Sequence, residues 1–189
     1  MKTIYLVRHG ETLFNVHHKI QGACDSPLTA LGRKQAQLVH NYFQHKFIHF
    51  DAAFCSTQQR ASDTLEIITN NKLPYTRLKN LCEKDHGQYE GQDEYMLPWR
   101  RGYSRKNPAF ESDDHVTYRM IQAMDEILNA THEGEKILIV GHGTALRLFT
   151  KHVNPVFSAY SNCEIVKMTA QNNVLTYENS FTPALELVN

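Results

Sequence analysis

Two apolar runs of strand length end in the same way. Ile4–Val7 stops at Arg8-His9-Gly10, and Lys136–Val140 stops at Gly141-His142-Gly143. A short run rich in β-branched residues reads as a buried strand, and a polar, glycine-bearing break marks its carboxyl end. Segments of helical period follow. The chain is thereby confined to strands alternating with helices, which argues for an α/β arrangement with a mainly parallel sheet.

The other segments fit that frame. Thr29 can cap a helix running to about Lys46, with Leu31, Leu38, Val39, Tyr42 and Phe43 on one stripe. Residues 52–55 read as a short strand, and a helix near 58–69 turns Ala61, Leu65 and Ile68 inward. Residues 75–78 form another short strand. A third helix is predicted over 114–131, burying Val116, Met120, Met124 and Ile127, and a fourth over 144–152. Strands near 164–169 and 174–177 flank Gln171-Asn172-Asn173, a turn suited to a hairpin, which makes the sheet mixed. A polar loop runs from Gly10 to about Pro27. From Cys82 to about Asp114 the pattern is irregular and long for a passive connection. The expected fold is a three-layer α/β/α sandwich with a mainly parallel mixed sheet. It forms one domain over residues 1–189, with a substrate-covering insertion around 92–115.

Composition removes several function classes. Among 189 residues, 20 Lys and Arg balance 20 Asp and Glu. Zero net charge leaves no footprint for nucleic acid or a membrane surface, so any anion site must be local. No apolar stretch approaches a membrane span, and the run before Arg8 is too short for a secretion signal. Cys24, Cys55, Cys82 and Cys163 are scattered and read as buried or half-buried small hydrophobes, not disulfides or metal ligands. A reducing, cytoplasmic compartment is the matching expectation. His17, His18, His40, His45, His49, His132 and His152 stand in polar surroundings and are expected to be solvated. No metal site is expected.

Ligands of open α/β sheets bind outside the carboxyl ends of the strands. That rule puts His9 and His142 on one rim, and Arg60, following the strand that ends at Cys55, can reach it. Arginine offers a fork of donors that matches phosphate oxygens. The glycines let backbone N–H groups approach an oxyanion. Each fragment alone says little. Together, with Glu83 in the irregular segment, they describe a cationic pocket in a neutral protein.

Leu6-Val7-Arg8-His9-Gly10-Glu11-Thr12 resembles the signature of the histidine phosphatase superfamily, in its phosphoglycerate-mutase-like branch. The likeness continues through Asn15, Gln21-Gly22, Asp25-Ser26-Pro27-Leu28-Thr29 and Leu31-Gly32. It extends to Ser56, Arg60-Ala61, Leu81-Cys82-Glu83, Gly87, Glu90-Gly91, Val140-Gly141-His142-Gly143 and Leu146-Arg147. Departures are Lys19 where arginine is common, Thr57 where proline is common and Thr144 in place of a frequent glycine.

The resemblance implies roles. His9 attacks phosphorus as a neutral imidazole, while Arg8, Arg60 and His142 hold the phosphoryl oxygens. Asn15, Gln21, Gly22 and Gly143 complete the substrate site, with backbone N–H groups near Gly22 or Ala23 as further donors. Glu83 is the general acid, with Asp85 and Glu90 as nearby rivals and a surface carboxylate as the plain alternative. No metal or other cofactor is implied. The segment from Asp93 to His115, with Tyr95, Trp99, Arg100, Arg101, Tyr103, Arg105 and Lys106, is either a lid whose cations meet further substrate charge or an exposed basic turn. Trp99 and Arg100 are its candidate substrate contacts. Because this segment is short, hydrolysis of a small phosphorylated metabolite is favoured over a mutase. A non-catalytic phosphoryl-binding module is the third reading. A homodimer is left open.

Overall fold

The computed structural model describes residues 1–102 and 110–183, the Trp99 side chain excepted. In chain order the elements are β1 (Lys2–Arg8), α1 (Leu13–Val16), α2 (Ala30–His45), β2 (Ala52–Ser56), α3 (Gln59–Thr69) and β3 (Thr76–Leu78). They continue with α4 (Asp113–Ala130), β4 (Lys136–Gly141), α5 (Gly143–Val153), β5 (Ile165–Gln171) and β6 (Val174–Phe181). Between β3 and α4 the described chain makes only short 3₁₀ turns.

The six strands form one sheet in the order β3-β2-β4-β1-β5-β6. β3, β2, β4 and β1 pair in parallel, while β5 runs antiparallel to β1 and β6 to β5. This is the mixed α/β sheet that the alternation of elements predicts. The final hairpin also forms as expected. Asn172 and Asn173, at φ 51° and 62°, adopt the left-handed pair that a two-residue turn of this hand requires.

Period-two alternation sorts the strands into two cores. Ile4 and Leu6 of β1, with Ile137 and Ile139 of β4, pack under α4 and α5 against Met120, Leu146 and Phe149. Tyr5, Val7, Leu138 and Val140 face the other way, against Val39 and Phe43 of α2 and Leu65 of α3. A strand covered on both faces has no polar side, which is why β1 and β4 read as continuous apolar runs. Full burial of each Leu or Ile contributes roughly 1.5–3 kcal/mol.

Some expectations need correction. Val39 and Phe43 of the expected α2 stripe are buried and Leu38 and Tyr42 pack beside them, but Leu31 is 42% exposed and Gly32 and Ala36 are buried in addition. The reason is contact: a Cβ on Gly32 would stand 2.1 Å from the Glu11 carbonyl oxygen, and one on Gly10 would stand 2.5 Å from that of Gly32. The start of α2 is thus docked on the loop that leaves His9. That loop is not wholly irregular either. Thr12 caps α1 through a reciprocal box with Asn15, a one-turn helix too short to register as a period. Cys24 is exposed, whereas Cys55 and Cys163 are buried and Cys82 is half-buried. Among the histidines expected to be solvated, only His40 is half-buried, its ring bonded to the Ile68 carbonyl at 2.7 Å. No described helix is long and apolar enough to cross a membrane.

Candidate active site

Sheet register brings the two histidines together. Arg8 of β1 is the paired partner of Gly141 of β4, so His9 and His142 each stand one residue beyond a matched position. The ladder runs one bond further, from the His9 N–H to the Gly141 carbonyl at 3.0 Å. The two imidazole rings lie 5.3 Å apart, centre to centre. Arg8, His9, Asn15, Gln21, Gly22, Glu83, Arg100 and Gly143 line one cavity of about 300 Å³. Arg60 and His142 are not among its lining residues and are buried, at 1% and 0% exposure. Trp99 carries no described side chain, and Tyr103, Arg105 and Lys106 lie outside the described residues.

The His9 imidazole is held neutral with one lone pair free. Its Nδ1 is 2.8 Å from the Gly10 carbonyl, which can only accept, so Nδ1 carries the hydrogen and Nε2 keeps its lone pair. Burial, then the charges of Arg60 and Arg8, hold this imidazole well below its usual range, and the Gly10 bond opposes them only in part. Burial likewise holds His142 well below that range, followed by Arg60, His9, Arg8 and Arg119. Both rings are therefore neutral at pH 7.

Buried polar atoms in folded proteins nearly always have partners. Here Arg8 Nε, Arg60 Nε and both ring nitrogens of His142 are buried with none. The two arginine atoms are N–H donors, and a neutral imidazole carries one more. Buried donors left unanswered in this way are what an oxyanion would satisfy.

The other predicted residues are placed as follows. Asn15 Oδ1 accepts from the Thr12 N–H at 3.1 Å and from Asn162 Nδ2 at 3.3 Å, which leaves its amide nitrogen for the cavity. Gln21 is tied to the Thr12 hydroxyl at 2.9 Å. Gly22 is needed for its backbone: at φ +55° it turns the loop, and a Cβ would stand 2.0 Å from a Glu90 oxygen. Gly143 allows close approach too, since a Cβ would lie 3.3 Å from Arg8 Nε. Arg100 sits on the cavity wall, exposed.

Three expectations about the site are modified. Arg60 does not present an open fork. Its Nη1 donates to the Cys24 carbonyl at 2.8 Å and to Asp25 Oδ1 at 2.9 Å, and Nη2 donates to the Gly22 carbonyl at 2.9 Å. It shapes the 22–25 loop while its charge reaches both histidines. The Ala23 N–H is already given to Glu90 Oε1 at 2.7 Å and is no free donor. That bond also fixes Glu90 as a loop brace, together with the Cys24 and His86 N–H groups at 2.8 and 3.0 Å. Glu83 caps a helix. Its carboxylate accepts from the Lys84, Thr144 and Ala145 N–H groups at 2.8, 3.0 and 2.9 Å, the last two at the start of α5.

The family described as the histidine phosphatase superfamily (branch 1) matches residues 4–189. The chain belongs to the histidine phosphatase superfamily. It is 27% identical to a 2,3-bisphosphoglycerate-dependent phosphoglycerate mutase of Hamiltonella defensa, covering 100% of this chain and 90% of that protein. It is 32% identical to an uncharacterized phosphatase of Bacillus subtilis, covering 82% of this chain and 78% of that one. The crystal structure of a phosphoglycerate mutase from Bacillus anthracis shares its fold, with a TM-score of 0.86 at 23% identity over 98% of this chain and 95% of that one. Superfamily membership and fold are thus as the sequence motifs imply.

In this superfamily member several supporting residues escape sequence reasoning. Asn162 Nδ2 donates to the His9 carbonyl at 3.0 Å, and the Tyr160 carbonyl accepts from Arg8 Nη1 at 2.7 Å. Gln58 joins the Gly22 carbonyl at 2.6 Å to the Glu83 N–H at 2.8 Å. Thr64 accepts the Gly10 N–H at 3.1 Å. Gln58, at the N-cap of α3 two residues past β2, is the one with a local signal. The others are joined to the site by long-range packing. Arg147, on α5 one turn after Gly143, lines the cavity beside Arg100 and Lys19.

Proposed function

We propose that this protein is a metal-independent phosphomonoester hydrolase acting through phospho-His9 on a small phosphorylated metabolite. The observation that carries the reading is the set of buried, unpartnered nitrogens of Arg8, Arg60 and His142 gathered around a neutral His9.

In the first step the Nε2 lone pair of His9 attacks phosphorus, and the bond to the leaving oxygen breaks with its electron pair going to that oxygen. Arg8, Arg60 and His142 stabilise the charge on the equatorial oxygens. Glu83 gives the leaving oxygen its proton. In the second step a water oxygen attacks phospho-His9, Glu83 takes the proton, and the P–N bond breaks to free phosphate. The Glu83 carboxylate accepts the Lys84, Thr144 and Ala145 N–H groups, which hold it in place at the start of α5. Asn15 and Gly143 border the phosphoryl position, and Arg100 meets the rest of the substrate. Fixed arginine charges supply the stabilisation that a metal gives elsewhere.

Hydrolysis is favoured over mutase chemistry by length. The alignment with the Hamiltonella mutase takes 230 positions to span a chain of 189 residues, so the mutase has stretches without a counterpart here. The alignment with the Bacillus subtilis phosphatase takes 155 positions for 82% of the chain and needs no such stretches. A mutase must exclude water from the phosphohistidine, and added cover is one way to do so. The mutase reading keeps the support of the 27% identity.

The test is to mix purified protein with labelled phosphomonoesters, chelator present, and quench in base. A base-stable, acid-labile label on the protein, followed by phosphate release, is expected. Conversion of 3- to 2-phosphoglycerate faster than phosphate release would favour the mutase. Loss of all activity in chelator would end the metal-independent reading.

A further inference from the structure

We infer that Arg119, locked to Glu111, is the positioning residue that holds Glu83 at the leaving group. This rests on the reading of Glu83 as proton donor and names how the fold keeps it there.

Glu83 lies on a stretch that has neither a sheet ladder nor an α-helix to fix its main chain. Side chains do that work instead. Arg119, on α4 and 8% exposed, uses all five of its N–H donors. Nη1 donates to the Asn80 carbonyl at 2.8 Å and the Cys82 carbonyl at 2.6 Å, and Nη2 donates to the Glu83 carbonyl at 3.1 Å. The remaining two go to Glu111 as a fork, Nε to Oε1 at 2.6 Å and Nη2 to Oε2 at 3.0 Å. Glu111 in turn accepts the Asp85 N–H at 3.1 Å and gives its own N–H to the Asp85 carbonyl at 3.0 Å.

Main chain from residue 80 to 85 is therefore clamped from behind by one buried ion pair. In front, the Glu83 carboxylate rests on the first amides of α5. Because α4 and α5 pack in the same core, the clamp and the rest share one rigid support. A buried ion pair is a poor way to gain stability, since desolvation offsets most of the attraction. An apolar residue at 119 would fill the face of α4 equally well. What a guanidinium can do at this place is gather the carbonyls of Asn80, Cys82 and Glu83 on one rigid fork and so hold Glu83 in one position. Proton transfer depends steeply on such placement.

The test measures turnover on a poor leaving group, glycerol 2-phosphate, and a good one, nitrophenyl phosphate. Arg119→Lys and Glu111→Gln are made alone and together with Glu83→Gln. A positioning role predicts that Arg119→Lys slows glycerol phosphate by about tenfold or more while nitrophenyl phosphate changes by less than about twofold. It also predicts no further loss when Arg119→Lys is added to Glu83→Gln. Equal losses on both substrates, or a loss that adds to that of Glu83→Gln, would overturn it. If Arg119→Lys does not fold, Glu111→Gln is judged by the same two outcomes. Should Glu83→Gln alone leave glycerol phosphate turnover intact, the proton-donor reading falls, and the positioning role with it. Should Glu83→Gln slow it while Arg119→Lys adds to the loss, only the positioning role falls.

Discussion

His9 and His142 stand one step past paired positions of two parallel strands, while Glu83, Glu94, Leu97 and Arg100 stand on a stretch that has no sheet pairing of its own length. The first group inherits its geometry from β1 and β4, whose side chains are buried on both faces. The second is held by single side chains: Arg119 and Gln58 at Glu83, and Glu90 at the 22–24 loop. Three backbone bonds then hook residues 91–94 onto residues 18–20, such as Gly91 N–H to the Ile20 carbonyl at 2.8 Å. One wall of the pocket is thus built by the cooperative core and the other by separable contacts. On the proposed mechanism, the nucleophile and the oxyanion contacts belong to the first wall, while the second carries Glu83 and the residues that meet the rest of the substrate.

The sharpest way to break that contrast is at its chemical centre. His9→Ala should abolish the phosphoenzyme and lower turnover by roughly a thousandfold or more. Arg100→Ala should leave the phosphoenzyme intact and raise KM by about tenfold at most, since the side chain is exposed. Rapid-quench labelling beside steady-state kinetics reads both. A phosphoenzyme lost in Arg100→Ala would mean the two walls are not separable. Stability offers the next contrast. Leu6→Ala, at a wholly buried position, should cost about 2–5 kcal/mol in urea unfolding. Leu97 belongs to a small cluster with Ile20 and Phe110, so Leu97→Ala should fall at the bottom of that range, about 2 kcal/mol. Equal losses would show that the segment unfolds as part of the main core.

A pH effect follows from the sheet wall alone. Burial and the neighbouring arginines lower both His9 and His142 in the folded state. Below the ordinary histidine value of about 6.5, the unfolded chain binds protons that the folded one refuses. Stability contributed by the neutral rings is therefore complete above that value and is lost as pH falls below it. Unfolding free energies measured from pH 8 to 5 should decline in the natural protein more than in His142→Gln. Parallel curves would sink the claim. Inorganic phosphate should reduce the decline, because an oxyanion between the rings favours a protonated His142.

What the sequence made legible follows the same division. β1 and β4 were readable because burial on both faces writes an unbroken apolar run, and the histidines came with them. Glu83 was found through its motif, but its seat on the amides of α5 was not, because Thr144 and Ala145 are about sixty residues away and no local pattern links them. The motif implies an Arg60 fork open to phosphate. Instead it braces carbonyls of a loop turned by Gly22 at φ +55°, a conformation that periodicity does not encode. Asn162 left no trace at all, since a polar residue before β5 looks like any loop residue until folding sets it against the His9 carbonyl. Strand-borne geometry is local information. Loop-borne geometry depends on which distant donor finds which carbonyl.

The smallest effect tests the hook between the walls. Lys19 pairs with Asp93 at 2.7 Å, their side chains 36% and 64% exposed, where residues 19 and 93 also meet as an isolated bridge. Ion pairs this open to solvent contribute about 0–1 kcal/mol and fade with salt. Asp93→Asn should therefore change unfolding stability by less than about 1 kcal/mol, and less still at high ionic strength. Its kinetic signature should be the larger one. Releasing Lys19, which lines the cavity, leaves a cation without its counter-ion beside an anionic substrate, so KM should fall by a few-fold, about threefold, at low salt. A stability loss well beyond the stated range would mean that the ion pair, and not the backbone bonds of residues 18–20, fastens the second wall to the first.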